Sequence, residues 1–141
     1  MDYEQNISTA DLINRLSIVN KNSFNKMIKR YGVSADQWSV ISKVVKHKGI
    51  TQKQLSEMTY KDQGNLTRMI DKLVDRGYIL RDADENDRRS VKLLATHSSK
   101  QLVEKVFSIE QEYNDKLLKG FSQEDKESFT ELLNKSYLNL L

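Results

Sequence analysis

The sequence predicts a mostly α-helical protein with one small β-hairpin between its helices, and three observations indicate this fold class. Ser or Thr followed three residues later by an acid or amide marks four helix starts. Apolar residues recur between these starts at spacings of about 3.6. Two β-prone runs, "YILR" and "VKLL", flank a turn rich in Asp, Asn and Glu. At 141 residues, with 38% hydrophobic and 30% charged residues, the chain is expected to form one globular domain.

Two helices are predicted in the first third of the chain. The first begins after Ser8, has Asp11 at its third position and ends at Gly32, which supplies a left-handed stop. The second begins after Ser34 and ends before Gly49. Each has an apolar side suited to a hydrophobic core. The residues on these sides are Leu12, Leu16, Val19, Phe24, Met27, Ile28 and Tyr31 in the first helix, and Trp38, Ile41, Val44 and Val45 in the second.

A third and a fourth helix are predicted at the centre. The third starts at Thr51, where Gln54 completes the cap, and it turns Leu55 and Met58 inward. The turn "TYKD" ends in Asp62, a helix-capping residue, and opens a fourth helix through "QGNLTRMIDKLVD". Helix, short turn, helix and hairpin is the order of a winged helix-turn-helix, in which the second helix enters a DNA groove. The predicted buried stripe of that helix is Leu66, Met69, Ile70, Leu73 and Val74.

Two further helices are predicted after the hairpin. One runs from about Ser98 to Lys119, and the other begins after Ser122 with Asp125 at its third position. The longer helix is predicted to bury Leu102, Val106, Leu117 and either Ile109 or Tyr113.

The exposed face of the fourth helix carries side chains suited to reading DNA. An amide can pair bidentately with adenine and an arginine with guanine, while a glycine lets the backbone approach a phosphate. The polar start of the third helix can also meet a phosphate. The predicted DNA contacts are Thr51, Gln52, Lys53, Gln63, Gly64, Asn65, Thr67, Arg68 and Lys72. The alternative is an ordinary solvated face, and no role is evident for Asp71 or Arg76.

The hairpin is the second candidate site. Its tip is predicted near Glu85 to Asp87, and Arg88 and Arg89 follow directly. An arginine on a narrow hairpin fits a minor groove, where A·T-rich DNA concentrates negative potential. Acidic residues balance the basic ones in the hairpin, so we interpret Asp87 as orienting an arginine. The alternative is a solvated loop of alternating charge.

Charge and composition favour an anionic partner and argue against several other classes. The net charge is +3, and residues 43–92 carry twelve Lys and Arg against eight Asp and Glu. There is no cysteine for a disulfide, a thiol switch or a nucleophile. His47 and His97 are too far apart in sequence to suggest a metal site, so we expect neither an enzyme nor a bound metal or cofactor. The lack of a long apolar run predicts a cytoplasmic protein without a membrane partner.

Three segments resemble the MarR family of transcriptional regulators, and the resemblance extends over essentially the whole chain. They are "TQKQLSEM", "NLTRMIDKLVDRGYILR" and "DENDRRSVKLLAT". The last is similar to the family's Asp-x-Arg wing signature, which implies that Asp87 pairs with Arg89 and that Arg89 enters the minor groove. The chain departs from the family at Gly64, where a serine is usual, at Ala95, where a leucine is usual, and at Ser99, where a glycine is common.

The resemblance also implies the assembly. Family members are homodimers held by their N- and C-terminal helices, so residues 34–96 are expected to form the DNA-binding lobe, and 1–33 and 97–141 the dimerisation region. The apolar tail "SYLNLL" agrees with a dimer, and a helix packed on its own subunit is the alternative. The residues implied to face the major groove are Gln63, Asn65, Thr67 and Arg68. Those expected at the dimer interface are Leu12, Leu16, Tyr137, Leu138, Leu140 and Leu141.

The hypothesis from the sequence is a sequence-specific, DNA-binding transcriptional regulator. The resemblance implies a homodimeric repressor on an inverted-repeat operator in double-stranded DNA, released by a small aromatic or anionic effector. Trp38 is a candidate wall of the effector pocket, and a core position is its alternative. For the whole chain the alternative is a winged-helix protein-interaction module that binds no nucleic acid.

Overall fold

The structure, a computed structural model, describes residues 6–59, 62–83 and 85–141. These residues are mostly helical and include one two-stranded antiparallel hairpin, which confirms the predicted fold class. The chain divides into two compact units, Met1–Ile109 and Glu110–Leu141. In chain order the elements are α1 (Thr9–Ile28), a 3-10 turn (Lys29–Tyr31), α2 (Ala35–Lys46), α3 (Gln52–Thr59), α4 (Gln63–Asp75), β1 (Ile79–Ala83), β2 (Val91–Ala95), α5 (His97–Leu117) and α6 (Gln123–Asn139).

The four predicted helix caps are confirmed. The Ser8 hydroxyl accepts a hydrogen bond from the Asp11 backbone N–H at 3.1 Å. Gly32, at a φ of +73°, ends the 3-10 turn that follows α1, because glycine adopts the left-handed region without steric cost. Reciprocal side-chain to backbone bonds of the capping-box type link Ser34 with Gln37, Thr51 with Gln54, and Ser122 with Asp125.

The hydrophobic core of the first unit holds the two central helices together. Leu55 of α3 and Leu66, Ile70 and Leu73 of α4 are fully buried in it. Burial of such side chains contributes about 1.5–3 kcal/mol each, so this layer fixes how α3 and α4 pack. The other members of the core are Ile28, Val33, Trp38, Val40, Ile41, Val44, Ile50, Ile79, Leu93, Leu102, Val106 and Ile109.

The apolar positions marked by helical spacing are not all buried. In the first half of α1, Leu12, Leu16 and Val19 are 55%, 40% and 60% exposed, and only the second half of the helix contacts the core. Met58 and Leu117 are also exposed, so the prediction that these two side chains are buried is wrong. Helical spacing identifies the apolar side of a helix, but it does not say how far along that side the rest of the chain extends.

The hairpin is anchored to the segment that precedes α3. β1 and β2 pair in antiparallel register from Ile79 opposite Ala95 to Ala83 opposite Val91. A bridge joins Thr51 to Lys92, and the backbone N–H of residue 93 donates to the carbonyl oxygen of residue 50 at 2.8 Å. The hairpin is therefore tied to the start of the helix-turn-helix. Asp84 of the hairpin, and residues 60 and 61 of the predicted turn between α3 and α4, lie outside the described residues.

Candidate nucleic-acid interface

A side-chain hydrogen bond joins the polar surfaces of α3 and α4. Gln52 Nε2 donates to Thr67 Oγ1 at 2.7 Å. The same hydroxyl donates to the carbonyl oxygen of Gln63 at 2.7 Å, as a helical Thr often does to the preceding turn. Three of the predicted DNA contacts are therefore brought together by the two helices, and the Thr67 hydroxyl is satisfied as both donor and acceptor.

A second chain of hydrogen bonds runs along the first turns of α4. The Asp62 carboxylate caps the helix by accepting from the Asn65 backbone N–H at 2.8 Å and from Asn65 Nδ2 at 2.5 Å. Asn65 Oδ1 in turn accepts from Arg68 Nη2. Carboxylate, amide and guanidinium follow one another at three-residue steps, which places them as neighbours on one side of a helix. The orientation of Arg68 is thus set by Asn65, and that of Asn65 by Asp62.

Asp87 shapes the turn of the wing. Its Oδ1 accepts from the Arg89 backbone N–H at 3.0 Å, and its carbonyl oxygen accepts from the Ser90 N–H at 3.0 Å. The pairing of Asp87 with Arg89 that the resemblance implied is thus made to the Arg89 backbone. Both Arg88 and Arg89 are exposed. Their guanidinium groups extend from a turn that the Asp87 carboxylate holds in shape.

Two residues without a predicted role fasten α4 to its neighbours. Asp71 Oδ1 accepts from Arg81 Nη2 at 2.5 Å, which ties α4 to β1. Arg76, at the end of α4, donates from Nη2 to the Gly32 carbonyl oxygen at 2.7 Å. Its guanidinium also lies over the Tyr78 ring, with Cζ 5.2 Å from the ring centroid, in a cation–π contact. Sequence spacing carries no signal for the Arg76 contact, because the partners are 44 positions apart.

Most of the predicted DNA contacts are accessible to a partner. Thr51, Gln52 and Thr67 are half-buried at the contact between the two helices. The exposed ones are Lys53, Gln63, Gly64, Asn65, Arg68, Lys72, Arg88 and Arg89.

A polar cleft of about 520 Å³ lies between the start of α2 and the exposed face of α4. Arg68 and Lys72 bring positive charge to it, and Met69 contributes an apolar wall. Trp38 is 3% exposed and lies in the core, the alternative position considered for it above. The other residues that line the cleft are Ser34, Asp36, Gln37, Asp62 and Asn65.

Neither a metal cluster nor a membrane helix is found in the described part of the chain. No group of three or more His, Cys, Asp or Glu side chains within residues 6–59, 62–83 and 85–141 is placed to hold a metal ion. Among the same residues, no helix combines the length and the apolar character needed to cross a bilayer.

A helix-turn-helix with an ordered polar face on its second helix, followed by an anchored two-stranded wing, defines the winged helix-turn-helix class of proteins. The MarR family profile matches residues 33–91 of this chain. A solved MarR transcriptional regulator from Methanosarcina mazei Go1 is 30% identical, with a TM-score of 0.82 over 92% of this chain and 94% of that chain. The chain therefore belongs to the MarR family of transcriptional regulators.

Two further relatives extend the comparison. The HTH-type transcriptional regulator BilQ of Clostridium symbiosum is 29% identical over 77% of this chain and 75% of that protein. A mutant of Escherichia coli MarR, solved in complex with operator DNA, is 24% identical, with a TM-score of 0.85 over 96% of this chain and 98% of that chain. At this level of identity, the second comparison shows a shared fold.

Proposed function

We propose that this chain is a sequence-specific, DNA-binding transcriptional regulator that acts as a homodimeric repressor on an inverted-repeat operator. The observation that carries the proposal is the exposed polar face of α4, ordered by hydrogen bonds and followed directly by an anchored wing. The E. coli relative was solved with operator DNA, and its shared fold supports the same use here. In this proposal residues 34–96 form the DNA-binding lobe, and 1–33 and 97–141 form the dimerisation region.

In the proposed complex α4 lies in the major groove and the wing lies over the adjacent minor groove. The exposed face of α4 supplies amide and guanidinium groups, which match the hydrogen-bonding edges of adenine and guanine. Lys53 and Lys72 meet phosphates, and Arg88 and Arg89 enter the minor groove. Since Asp87 holds the wing turn through the Arg89 backbone, the arginine side chains remain available for DNA.

Two exposed apolar surfaces support the homodimer. On α1, Leu12, Ile13, Leu16, Ile18 and Val19 are each at least 40% exposed. On and after α6 the exposed apolar residues are Leu132, Leu133, Tyr137, Leu138, Leu140 and Leu141. Soluble monomers rarely leave contiguous apolar surfaces of this kind in water, and a second copy related by two-fold symmetry would cover them. Such a dimer binds half-sites about one helical turn apart.

We further propose that a small anion releases the DNA by binding the cleft beside α4. The cleft contains Arg68 and Lys72 beside the carboxylates of Asp36 and Asp62, with Met69 as an apolar wall. An aromatic carboxylate would place its charge on the two cations and its ring on Met69. Because Arg68 belongs both to the cleft and to the DNA-reading face, an occupant competes with DNA for it. A panel of aromatic carboxylates is expected to contain at least one that lowers DNA affinity in wild-type protein and not in Lys72→Ala.

Fluorescence anisotropy tests the central proposal. The full chain is titrated into labelled DNA from immediately upstream of its own gene, and into a scrambled duplex of the same composition, over a series of salt concentrations. We expect tight binding to one duplex and weak binding to the other, with log affinity falling linearly in log salt. Absence of binding to both duplexes at low salt would reject the proposal and favour the protein-interaction module.

A further inference from the structure

The side chains on the reading face of α4 differ in how much hydrogen-bonding capacity they have left. Asn65 uses its amide nitrogen on Asp62 and its carbonyl oxygen on Arg68. One amide hydrogen and one carbonyl lone pair of Asn65 stay unused, but the contacts to Asp62 and Arg68 hold the amide in one orientation. A bidentate pair with adenine requires both atoms to face one base edge, so the amide would have to leave that orientation. Both polar atoms of the Asn65 side chain therefore already have hydrogen-bond partners within the protein.

The hydroxyl of Thr67 also has its hydrogen-bond partners within the protein. Its hydroxyl accepts from Gln52 Nε2 and donates to the Gln63 carbonyl oxygen, both at 2.7 Å. A hydroxyl has one proton, so Thr67 has no further donor to offer a base. The contact also occupies an amide hydrogen of Gln52 and joins α3 to α4.

Two side chains on this face retain the capacity to read bases. Arg68 has five N–H donors, and among the described residues its one hydrogen bond is to Asn65, so two donors remain for the N7 and O6 atoms of guanine. The side-chain amide of Gln63 forms no hydrogen bond within residues 6–59, 62–83 and 85–141, and it is exposed at the first position of α4.

We propose that Arg68 and Gln63 read the bases, and that Asn65 and Thr67 are positioning residues that specify no base of their own. Asn65 holds the guanidinium of Arg68 in the orientation for one guanine. Thr67 holds Gln52 and the first turn of α4 in place. This inference rests on the proposed DNA-binding function and divides the polar face of α4 into readers and supports.

Selection of duplexes from a randomised pool, with full-length protein, tests the division. Wild type, Arg68→Ala, Asn65→Ala and Asn65→Asp are compared, and the selected duplex and its single-base variants are then titrated by anisotropy. Arg68→Ala is expected to abolish discrimination at one guanine position per half-site, a loss of about 5- to 150-fold. Asn65→Ala is expected to reduce discrimination at that same guanine by about 2- to 12-fold, because Arg68 must then be immobilised on binding.

The Asn65→Asp variant distinguishes a positioning residue from a residue that reads a base. A carboxylate still accepts from Arg68, so Asn65→Asp is expected to keep the guanine preference. Binding weakens overall, because the variant loses the donor to Asp62 and adds a negative charge beside that carboxylate. If Asn65 reads its own adenine, Asn65→Asp would instead move one position towards cytosine, whose amino group donates to a carboxylate. That shift, or loss of a separate adenine position in Asn65→Ala, would overturn the inference.

Two controls complete the experiment. In the Arg68→Ala background, Asn65→Ala is expected to change discrimination no further, because the two residues act as one unit. Lys72→Ala is expected to weaken all duplexes equally without changing the selected sequence. Selection of no sequence by folded wild-type protein would reject the proposed function itself, whereas a clear motif with an independent Asn65 position would reject only the division of roles.

Discussion

At the residue scale, Gly64 stands in the first turn of α4 without a conformational need for glycine. Its backbone is helical, and an added Cβ would lie 3.4 Å from Asp62 Oδ1, an ordinary contact distance. The residue is exposed on the face proposed to meet DNA. A side chain would therefore fit at this position, and a serine there would add a hydroxyl that glycine lacks.

Gly64→Ser is expected to tighten binding to every duplex. A hydroxyl on the first turn of α4 adds a hydrogen bond to a charged phosphate, worth about 1.5–3 kcal/mol in each half-site. Gly64→Ala is the matched control, because it raises helix propensity at least as much as serine does without adding the hydroxyl. Anisotropy on specific and scrambled duplexes measures the effect. Equal affinities for the Ser and Ala variants would show that no phosphate contact forms.

Arg89→Ala is expected to weaken operator binding by about 1–3 kcal/mol without unfolding the protein. The side chain is exposed, and only its backbone N–H holds the wing turn. Asp87→Asn is the comparison variant, since an amide oxygen still accepts that N–H and the turn survives. Anisotropy and thermal unfolding are measured for both. Unchanged affinity in Arg89→Ala would remove the wing from the proposed interface.

At the element scale, the position of α4 depends on contacts that its own sequence does not show. Capping and apolar spacing predicted where the helix starts and which side it buries, because these depend on residues three or four positions apart. The ties to β1 through Asp71 and to the Gly32 carbonyl through Arg76 join residues from other elements. They could not be predicted, because they exist only once the core has brought those elements together.

Arg76→Ala is expected to lower both stability and DNA affinity. The hydrogen bond to Gly32 is exposed, so its loss should reduce the free energy of unfolding by less than about 1 kcal/mol, while α4 loses a support at its C-terminal end. Arg30→Ala is a matched control, because Arg30 lies 5.1 Å from the Tyr31 ring much as Arg76 lies 5.2 Å from Tyr78. Urea unfolding and anisotropy of both variants separate the hydrogen bonds of Arg76, to the Gly32 carbonyl oxygen and to Gln37 Oε1 at 3.5 Å, from its aromatic contact. The same result for both would assign the effect to the aromatic contact.

At the scale of the whole molecule, the proposed dimer accounts for the exposed apolar residues of α1. Leu12, Leu16 and Val19 follow helical spacing as core residues do, yet they are exposed in the single chain. Covering them with a second copy would give the apolar stripe the burial that its pattern predicts. Assembly and sequence pattern are then consistent with each other.

Leu138→Glu is expected to convert the dimer to a monomer and to weaken operator binding at the same time. Leu138 is 57% exposed on α6, and a buried leucine contributes about 1.5–3 kcal/mol, which a charged replacement forfeits in each copy. Asn139→Glu adds the same charge at the neighbouring exposed position and should leave the dimer intact. Sedimentation velocity and anisotropy measure the two properties. A monomeric Leu138→Glu that binds the operator as tightly as wild type would contradict the proposed assembly.

The sequence by itself determined the helix starts, the order of helices and hairpin, and the face of α4 that meets solvent. Caps and helical spacing act over three or four residues, so each can be predicted without knowing the rest of the fold. Only the tertiary structure decided which polar side chains on that face are already occupied, as Thr67 is by Gln52 from another helix. It also decided which apolar residues remain uncovered. Both depend on how distant segments pack, because a hydrogen bond or a buried contact between them forms only when the core brings the partners within reach.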